Sequence, residues 1–433
     1  MRFLATTSST PGEIRAALTQ GNSLDLPEVE AAVREIVQDV RRRGDAALHD
    51  CLRRFSGVAL SDFAVSEAEF AAAEAFVDAP YLAAVDLAIE NVRAFHETHR
   101  PESWSMERDG ARLGQRVRPL DRVGVVVPAG KAPLPSTLLM AVIPARTAGV
   151  PEIVVSSAPA PDGSANPYTL VAARRAGVDR FYKLGGAHGV AALAYGTETI
   201  RKVDKIVGPG GPYTVLAKRA VFGQVDIESL PGPTEVLIIA DDSANPIWIA
   251  ADLLSQAEHG ADSLCILLTP SESLGRAVAA ELERQIPRLS RQETVRKCLA
   301  AHGWTILTRD LAEACALANE CAPEHLELVV RDPEPLLDRI HHAGAIFVGG
   351  YTPEPIGDYI AGPSHILPTG GTARFSSPLH VDDFVTRTSV IHYSRECFER
   401  EARHVIRLAE AETLDAHAAA IRVRFCSGAG CGE

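Results

Sequence analysis

The sequence predicts an α/β protein with two lobes, each built on a parallel β-sheet, and with helical segments at both ends of the chain. From Arg122 onwards, short β-branched runs alternate with alanine-rich helical segments, which is typical of βαβ units. In the stretches Asp25–His99 and Arg400–Arg424, apolar residues recur three and four positions apart, the spacing of amphipathic helices. We therefore expect helical ends around an α/β centre.

The alternating region divides into two sets of strands and helices. In the first set, GVVV, EIVVSS and KIVG are each followed by a helical pattern. In the second set, the predicted strands are EVLIIAD, SLCILLT, WTILT, LELVV and AIFVGG, and the predicted helices span Pro246–His259, Ser271–Gln285, Leu311–Asn319 and Pro333–His342. A long turn-rich stretch, YTPEPIGDYIAGPSHILPTGGTARFSSP, follows Gly350, and loops of this length are uncommon unless they are functional.

Charge and composition exclude several classes of protein. The chain has 56 acidic and 43 basic residues, a net charge of −13, which repels nucleic acid and anionic membranes. It shows neither a signal peptide nor an apolar run long enough to span a bilayer. Its eight cysteines contain no CxxC pair, so we expect free thiols in the reducing cytoplasm.

Neither lobe contains the G-x-G-x-x-G pattern of dinucleotide-binding proteins. The nearest glycine clusters are LGGAHG at Leu184–Gly189 and GPGGP at Gly208–Pro212. Such glycines either bring backbone N–H groups close to a phosphate or simply form tight turns between a strand and a helix.

Several polar residues are candidates for a site. Gln256 and His259 lie three positions apart on one face of a predicted helix. They are either part of an oxygen and nitrogen site suited to Zn²⁺ or a polar helix end that faces water. Glu324 and His325 are an acid/base pair before a strand if the chain bends there, which Pro323 favours; otherwise they are a solvated strand entrance.

Three further candidates lie later in the chain. Asp358 and His365 lie in the turn-rich stretch, either in a site or as turn residues bonding their own backbone. His417 lies in the last predicted helix, where a histidine is often part of the core.

The joint order of these motifs closely resembles the histidinol dehydrogenase family. The shared segments cover nearly the whole chain and are RRRGDAAL, PLDRVG, APLPSTLLM, KVDKIVGPG, GPTEVLIIAD, DLLSQAEHG, APEHLEL, GDYIAGPSHILPTGGTARFSSPL and AETLDAHAAA. The resemblance implies oxidation of L-histidinol through L-histidinal to L-histidine in histidine biosynthesis, with one Zn²⁺ per subunit and two NAD⁺ reduced.

The resemblance also implies a domain organisation and a homodimer with shared active sites. It implies two incomplete Rossmann-like lobes, a first one carrying the metal and acid/base motifs and a second one between its two parts. The expected divisions are an N-terminal segment 1–21, a first lobe 22–125 plus 236–379, a second lobe 126–235, and a helical tail 380–433 that contributes to the partner's site.

The resemblance assigns roles to individual residues. It implies Glu324 and His325 as the catalytic acid/base pair. It implies four metal ligands, namely Gln256, His259, Asp358 and His417, with His417 supplied by the partner subunit. The implied substrate-binding residues are Thr234, Gln256, His259, His325, Asp358, His365, Glu412 and His417.

Three positions depart from the family pattern where the family contacts its dinucleotide. Val126 stands in place of a typical Tyr, His188 in place of Gln and Gly211 in place of Asn, and Ala129 replaces a common Gly. Loss of a ring stack and two amide hydrogen bonds predicts that NAD⁺ binds weakly or in another way. Two alternatives therefore stay open: a zinc dehydrogenase for another polar alcohol, and a non-catalytic protein that binds zinc or a small molecule.

Overall fold

A computed structural model describes residues 1–19, 26–129 and 133–425. Asp25 of the predicted first helix, Ala132 of the APLPSTLLM motif, and Cys426 and Cys431 lie outside the described residues.

The described strands and helices follow one another in the alternation that the sequence predicts. The strands are β1 (Arg2–Ala5), β2 (Trp104–Arg108), β3 (Ala111–Pro119), β4 (Arg122–Val126), β5 (Glu152–Ser156), β6 (Arg180–Tyr182), β7 (Lys205–Val207), β8 (Asp226–Ile227), β9 (Glu235–Ala240), β10 (Leu264–Thr269), β11 (Gly303–Leu307), β12 (His325–Val329), β13 (Ala345–Val348) and β14 (Val385–Tyr393). The helices are α1 (Pro11–Leu18), α2 (Pro27–Arg43), α3 (Asp45–Cys51), α4 (Glu67–Phe76), α5 (Ala79–Glu97), α6 (Pro135–Ala148), α7 (Pro167–Ala176), α8 (Gly186–Tyr195), α9 (Pro212–Val221), α10 (Pro246–Ala257), α11 (Glu272–Gln285), α12 (Gln292–His302), α13 (Leu311–Cys321), α14 (Glu334–Leu337), α15 (Glu354–Tyr359), α16 (Arg395–Ala411) and α17 (Asp415–Arg422).

Two parallel sheets confirm the predicted fold class. One sheet has the strand order β1-β11-β10-β9-β12-β13 and the other β6-β5-β4-β7-β8. A third sheet, β14-β3-β2, is antiparallel and was not predicted; it joins the consecutive strands β2 and β3 to β14, which lies far along the sequence.

The chain divides into two compact units. The first comprises Met1–Arg100 and Leu120–Phe384 and contains both parallel sheets. The second comprises Pro101–Pro119 and the residues from Val385 onwards, with the antiparallel sheet, α16 and α17. No helix among the described residues is long and apolar enough to cross a membrane.

Strand β9 shows why the central strands are continuously apolar. Leu237 and Ile239 pack into one hydrophobic core, while Val236 and Ile238 pack into another on the opposite face. A parallel sheet that is covered on both faces leaves room for polar side chains mainly at the strand ends. Thr234, Glu324 and His325 of the candidate site lie at such ends.

Two local predictions are wrong. The predicted helix Pro333–His342 is limited to Glu334–Leu337 in the structure. Beyond it, the N–H groups of His341 and His342 donate to Asn319 Oδ1 at 2.6 and 3.2 Å, which holds the chain in a turn rather than a helix. The stretch after Gly350 was predicted to be a loop, yet it contains α15, whose first turn carries a proline.

Candidate active site

Thr234 and Glu324 meet at the amino ends of two neighbouring strands. Thr234 directly precedes β9 and Glu324 directly precedes β12, which pairs with β9. The Thr234 hydroxyl donates a hydrogen bond to Glu324 Oε2. Gln256 Nε2, at the end of α10, donates to Thr234 Oγ1 at 2.9 Å. This chain of bonds orients the Gln256 amide and leaves its oxygen for another partner.

The chain bends before β12 as the acid/base interpretation requires. Helix α13 ends at Cys321, and Ala322 takes a left-handed conformation with φ 50°, which is rare for a residue other than glycine. The bend is therefore centred on Ala322, one residue before Pro323. It places Glu324 Oε2 within 3.7 Å of His325 Nδ1, so both side chains reach the same region.

His325 is a buried histidine with one free nitrogen. Its Nδ1 lies 2.8 Å from the Glu235 carbonyl oxygen, which only accepts, so Nδ1 carries the proton. Its Nε2 is buried and has no hydrogen-bond partner among the described residues. Burial lowers the pKa of His325, so the neutral ring presents the Nε2 lone pair near pH 7. Such a nitrogen suits a general base.

Glu324 lies in an environment that favours its protonated form. Burial raises the pKa of Glu324 to about 8, although the Thr234 hydroxyl and the Glu235 N–H, at 3.0 Å, both donate to it. Burial and the neighbouring Glu324 likewise raise the pKa of Glu235 to about 8. A carboxyl group with a pKa close to the working pH can give and take a proton, which acid/base catalysis requires.

His259, Glu354 and Asp358 form a group whose ligand atoms all lie within 4.8 Å of one another. His259 follows α10, while Glu354 and Asp358 lie on α15. His365 Nδ1 lies 3.4 Å from Asp358 Oδ1. Burial raises the pKa of Asp358, but the interactions with His365, His325 and His259 together outweigh it and lower the pKa below the ordinary value. Asp358 is therefore an anion beside an imidazole, a pair of groups that binds divalent cations.

Two buried oxygens next to this group have no partner. Gln256 Oε1 and Glu354 Oε1 make no hydrogen bond within the part of the chain that the structure describes. Glu354 Oε1 lies 4.0 Å from His259 Nε2, and the Glu354 side chain is 2 % exposed. Unpaired buried oxygens are costly, and a bound cation would compensate both. The donor set therefore fits a metal ion with oxygen and nitrogen ligands.

A cleft connects this group to the second parallel sheet. It has a volume of about 560 Å³, within the range of small-molecule sites. His259, Glu258 and Tyr359 line one end, and the other end is lined by residues that follow the carboxyl ends of β4, β5 and β7. Ligands of open α/β sheets commonly bind at carboxyl ends of strands.

Comparison of the chain with models of known protein families identifies its family. A family model described as histidinol dehydrogenase matches residues 19–425. The chain belongs to the histidinol dehydrogenase family.

Individual relatives agree with the family model over most of the chain. The chain is 50% identical over 409 residues to a histidinol dehydrogenase of Heliobacterium mobile, which covers 94% of this chain and 96% of that protein. It is 51% identical over 399 residues to one of Aquifex aeolicus, with 92% of each covered. A crystal structure of histidinol dehydrogenase from Elizabethkingia anophelis superposes with a TM-score of 0.93 at 34% identity, covering 98% of both chains.

The structure brings together the predicted histidinol dehydrogenase residues of the first unit. Thr234, Gln256, Glu324 and His325 form one connected set, and Asp358 and His365 lie beside His259 in the other.

The two remaining predicted residues lie in the second unit. Glu412 is exposed at the end of α16, and His417 is exposed on α17. Their roles in a partner's site stay predictions.

Sequence reasoning missed Glu354. The turn-rich stretch hid it, because two prolines and a glycine close to it indicate a loop. Glu354 and Asp358 are four residues apart, the spacing that places two carboxylates on one face of a helix. A prediction of α15 would have revealed the pair.

The positions that depart from the family pattern have different surroundings. Val126, Ala129 and Gly211 line the cleft. His188 is not among the described residues that line it, and its buried ring stacks against Phe55 with centroids 6.2 Å apart.

Proposed function

We propose that this protein oxidises L-histidinol through L-histidinal to L-histidine, with one Zn²⁺ per subunit and NAD⁺ as hydride acceptor. The observation that carries the proposal is that the acid/base pair lies within electrostatic reach of Asp358, which belongs to a set of oxygen and nitrogen atoms whose His259 lines the cleft. Membership of the histidinol dehydrogenase family supports the substrate.

Gln256, His259 and Asp358 would hold the cation, and Glu354 lies close enough to take part. The set contains no thiolate and has a single charged ligand in Asp358, which is typical of open sites rather than closed structural zinc sites. When bound, Zn²⁺ would supply a positive charge that orients the imidazole and amine nitrogens of histidinol. His417 of the tail is proposed as a further ligand from the partner subunit in a homodimer.

His325 performs the first proton transfer in this proposal. Its Nε2 takes the proton of the histidinol hydroxyl group while a hydride leaves the carbon that bears this hydroxyl group. The product of this step is the aldehyde. The bond from Nδ1 to the Glu235 carbonyl keeps Nε2 in the basic form and fixes the ring. NAD⁺ in the cleft would supply the hydride acceptor.

Glu324 acts in the second oxidation. As the carboxylate it takes a proton from water while the water oxygen adds to the aldehyde carbon, and return of that proton to the former carbonyl oxygen gives the hydrate. Loss of a second hydride and a proton from the hydrate gives the acid, so two NAD⁺ are reduced for each histidinol. The polar groups of the substrate are proposed to bind to Thr234, His365 and Glu412. Thr234 also donates to Glu324.

The test is a rate measurement on purified protein. We expect NADH formation with L-histidinol, a product ratio of two NADH to one histidine, loss of activity with a chelator and recovery with Zn²⁺. A panel of other polar alcohols, with NADP⁺ as a second acceptor, distinguishes a different substrate or cofactor. Absence of turnover with every alcohol and acceptor would favour a non-catalytic binding protein.

A further inference from the structure

A fully buried ion pair lies beneath the glycine turn that forms one wall of the cleft. Lys218, on α9, is 0 % exposed, and its Nζ lies 2.6 and 2.7 Å from the two carboxylate oxygens of Glu228, which follows β8. The side chain of Glu228 is 4 % exposed. Two charges buried this far from water are costly, and such pairs often add little to stability. The pair therefore calls for an explanation besides stability.

The ion pair binds both polar groups of one backbone residue. Lys218 Nζ donates to the Gly208 carbonyl at 3.1 Å, and the Gly208 N–H donates to Glu228 Oε1 at 2.8 Å. Gly208 has φ 111°, and a Cβ there would lie 2.2 Å from the carbonyl oxygen of Val126, so glycine is required. The pair thus holds a glycine whose conformation other residues rarely adopt.

The residues that follow Gly208 form the wall of the cleft. Pro209, Gly210 and Gly211 all line it, and Gly211 is the N-cap of α9. The N–H groups of Gly210 and Gly211 make no hydrogen bond to any of the described residues. Free backbone N–H groups at the start of a helix favour an anion such as a phosphate.

We propose that Lys218 and Glu228 are positioning residues for the dinucleotide. They fix the turn Gly208–Gly211 from beneath and thereby set the position of the wall that receives the pyrophosphate. This inference rests on the proposed function, because it takes the cleft to be the NAD⁺ site.

The control is a second lysine–carboxylate pair of the same sheet. Lys205 begins β7 and pairs with Asp226 of β8 at 3.0 Å, at the amino edge of the sheet and away from the cleft wall. Lys205 is 5 % exposed, whereas the Asp226 side chain is 54 % exposed, and Lys205 Nζ also lies 3.5 Å from Asp383 Oδ1. Replacement of this pair removes a lysine–carboxylate interaction without touching Gly208.

The experiment compares Lys218→Met/Glu228→Gln with Lys205→Met/Asp226→Asn in the full-length enzyme. Both double variants remove one positive and one negative charge, so neither leaves a charge unpaired within its pair. For Lys218→Met/Glu228→Gln we expect the Kd for NAD⁺, measured by calorimetric titration without histidinol, and the KM for NAD⁺ to rise about tenfold or more, with kcat at saturating NAD⁺ and the KM for histidinol within about twofold. The control pair is expected to change the KM for NAD⁺ by less than about twofold.

Glu228→Asp is the second variant, and it decides the matter if the double variant does not fold. It keeps a negative charge for Lys218, but its shorter side chain draws the carboxylate back from the Gly208 N–H, so we expect a KM for NAD⁺ between those of the parent and the double variant. An unchanged KM for NAD⁺ in the folded variants, or an equal rise in the control pair, overturns the positioning role. Absence of histidinol oxidation by the parent enzyme would instead contradict the proposed function.

Discussion

Replacement of His188 by glutamine should remove part of the acid sensitivity of this protein. His188 lies on α8, buried, with its ring stacked on Phe55 and its Nε2 without a hydrogen-bond partner in the described part of the chain. Burial lowers the pKa of His188 from its ordinary value of 6.5 to about 4. The folded protein thus keeps this ring neutral where the unfolded chain binds a proton.

The sign and size of the effect follow from proton linkage. Below pH 6.5 the unfolded chain takes up a proton at His188, while the folded chain does not do so until about pH 4. The contribution to stability is therefore complete above pH 6.5 and is lost as the pH falls toward 4. At pH 5, about 1.5 units below the ordinary pKa, the loss relative to pH 7 is about 2 kcal/mol.

The assay is the free energy of unfolding from urea titrations at pH 7 and pH 5, for the parent and for His188→Gln. The parent should lose about 2 kcal/mol more than the variant between the two pH values. Buried histidines present in both proteins, such as His96, cancel in this difference. Equal losses in the two proteins would show that His188 is not held neutral by burial. The KM for NAD⁺ should stay within about twofold in the variant, because His188 does not line the cleft.

Two further substitutions test the catalytic and the metal groups separately. His325→Ala should lower kcat about 10²- to 10⁴-fold, which is the usual contribution of a general base, while the zinc content stays unchanged. Steady-state rates and metal analysis measure the two quantities. Unchanged turnover would exclude His325 as the base. Glu354→Gln should lower the affinity for Zn²⁺ about 10- to 100-fold, because it replaces a buried carboxyl group next to His259, which loses its proton when it binds a cation, with an amide that stays neutral. Competition with a chromogenic chelator measures that affinity, and an affinity equal to the parent's would mean that Glu354 does not contribute to the metal centre.

The sequence by itself determined the fold class, and it predicted most of the residues that the structure brings together in the first unit. Strand β9 is recognisable because both faces of its sheet are covered, which makes its residues almost continuously apolar. Gln256 and His259 were placed together because they are three residues apart near the end of one helix. Such features depend on neighbours along the chain, so local patterns reveal them.

The tertiary structure alone decided how distant segments meet. The antiparallel sheet joins residues before 120 to residues after 384, and local periodicity carries no information about that pairing. The tautomer of His325 depends on a carbonyl of another strand, and the role of Glu354 depends on the end of a different helix. Burial and charge are properties of the assembled protein, because they depend on which atoms surround a group after the chain has folded.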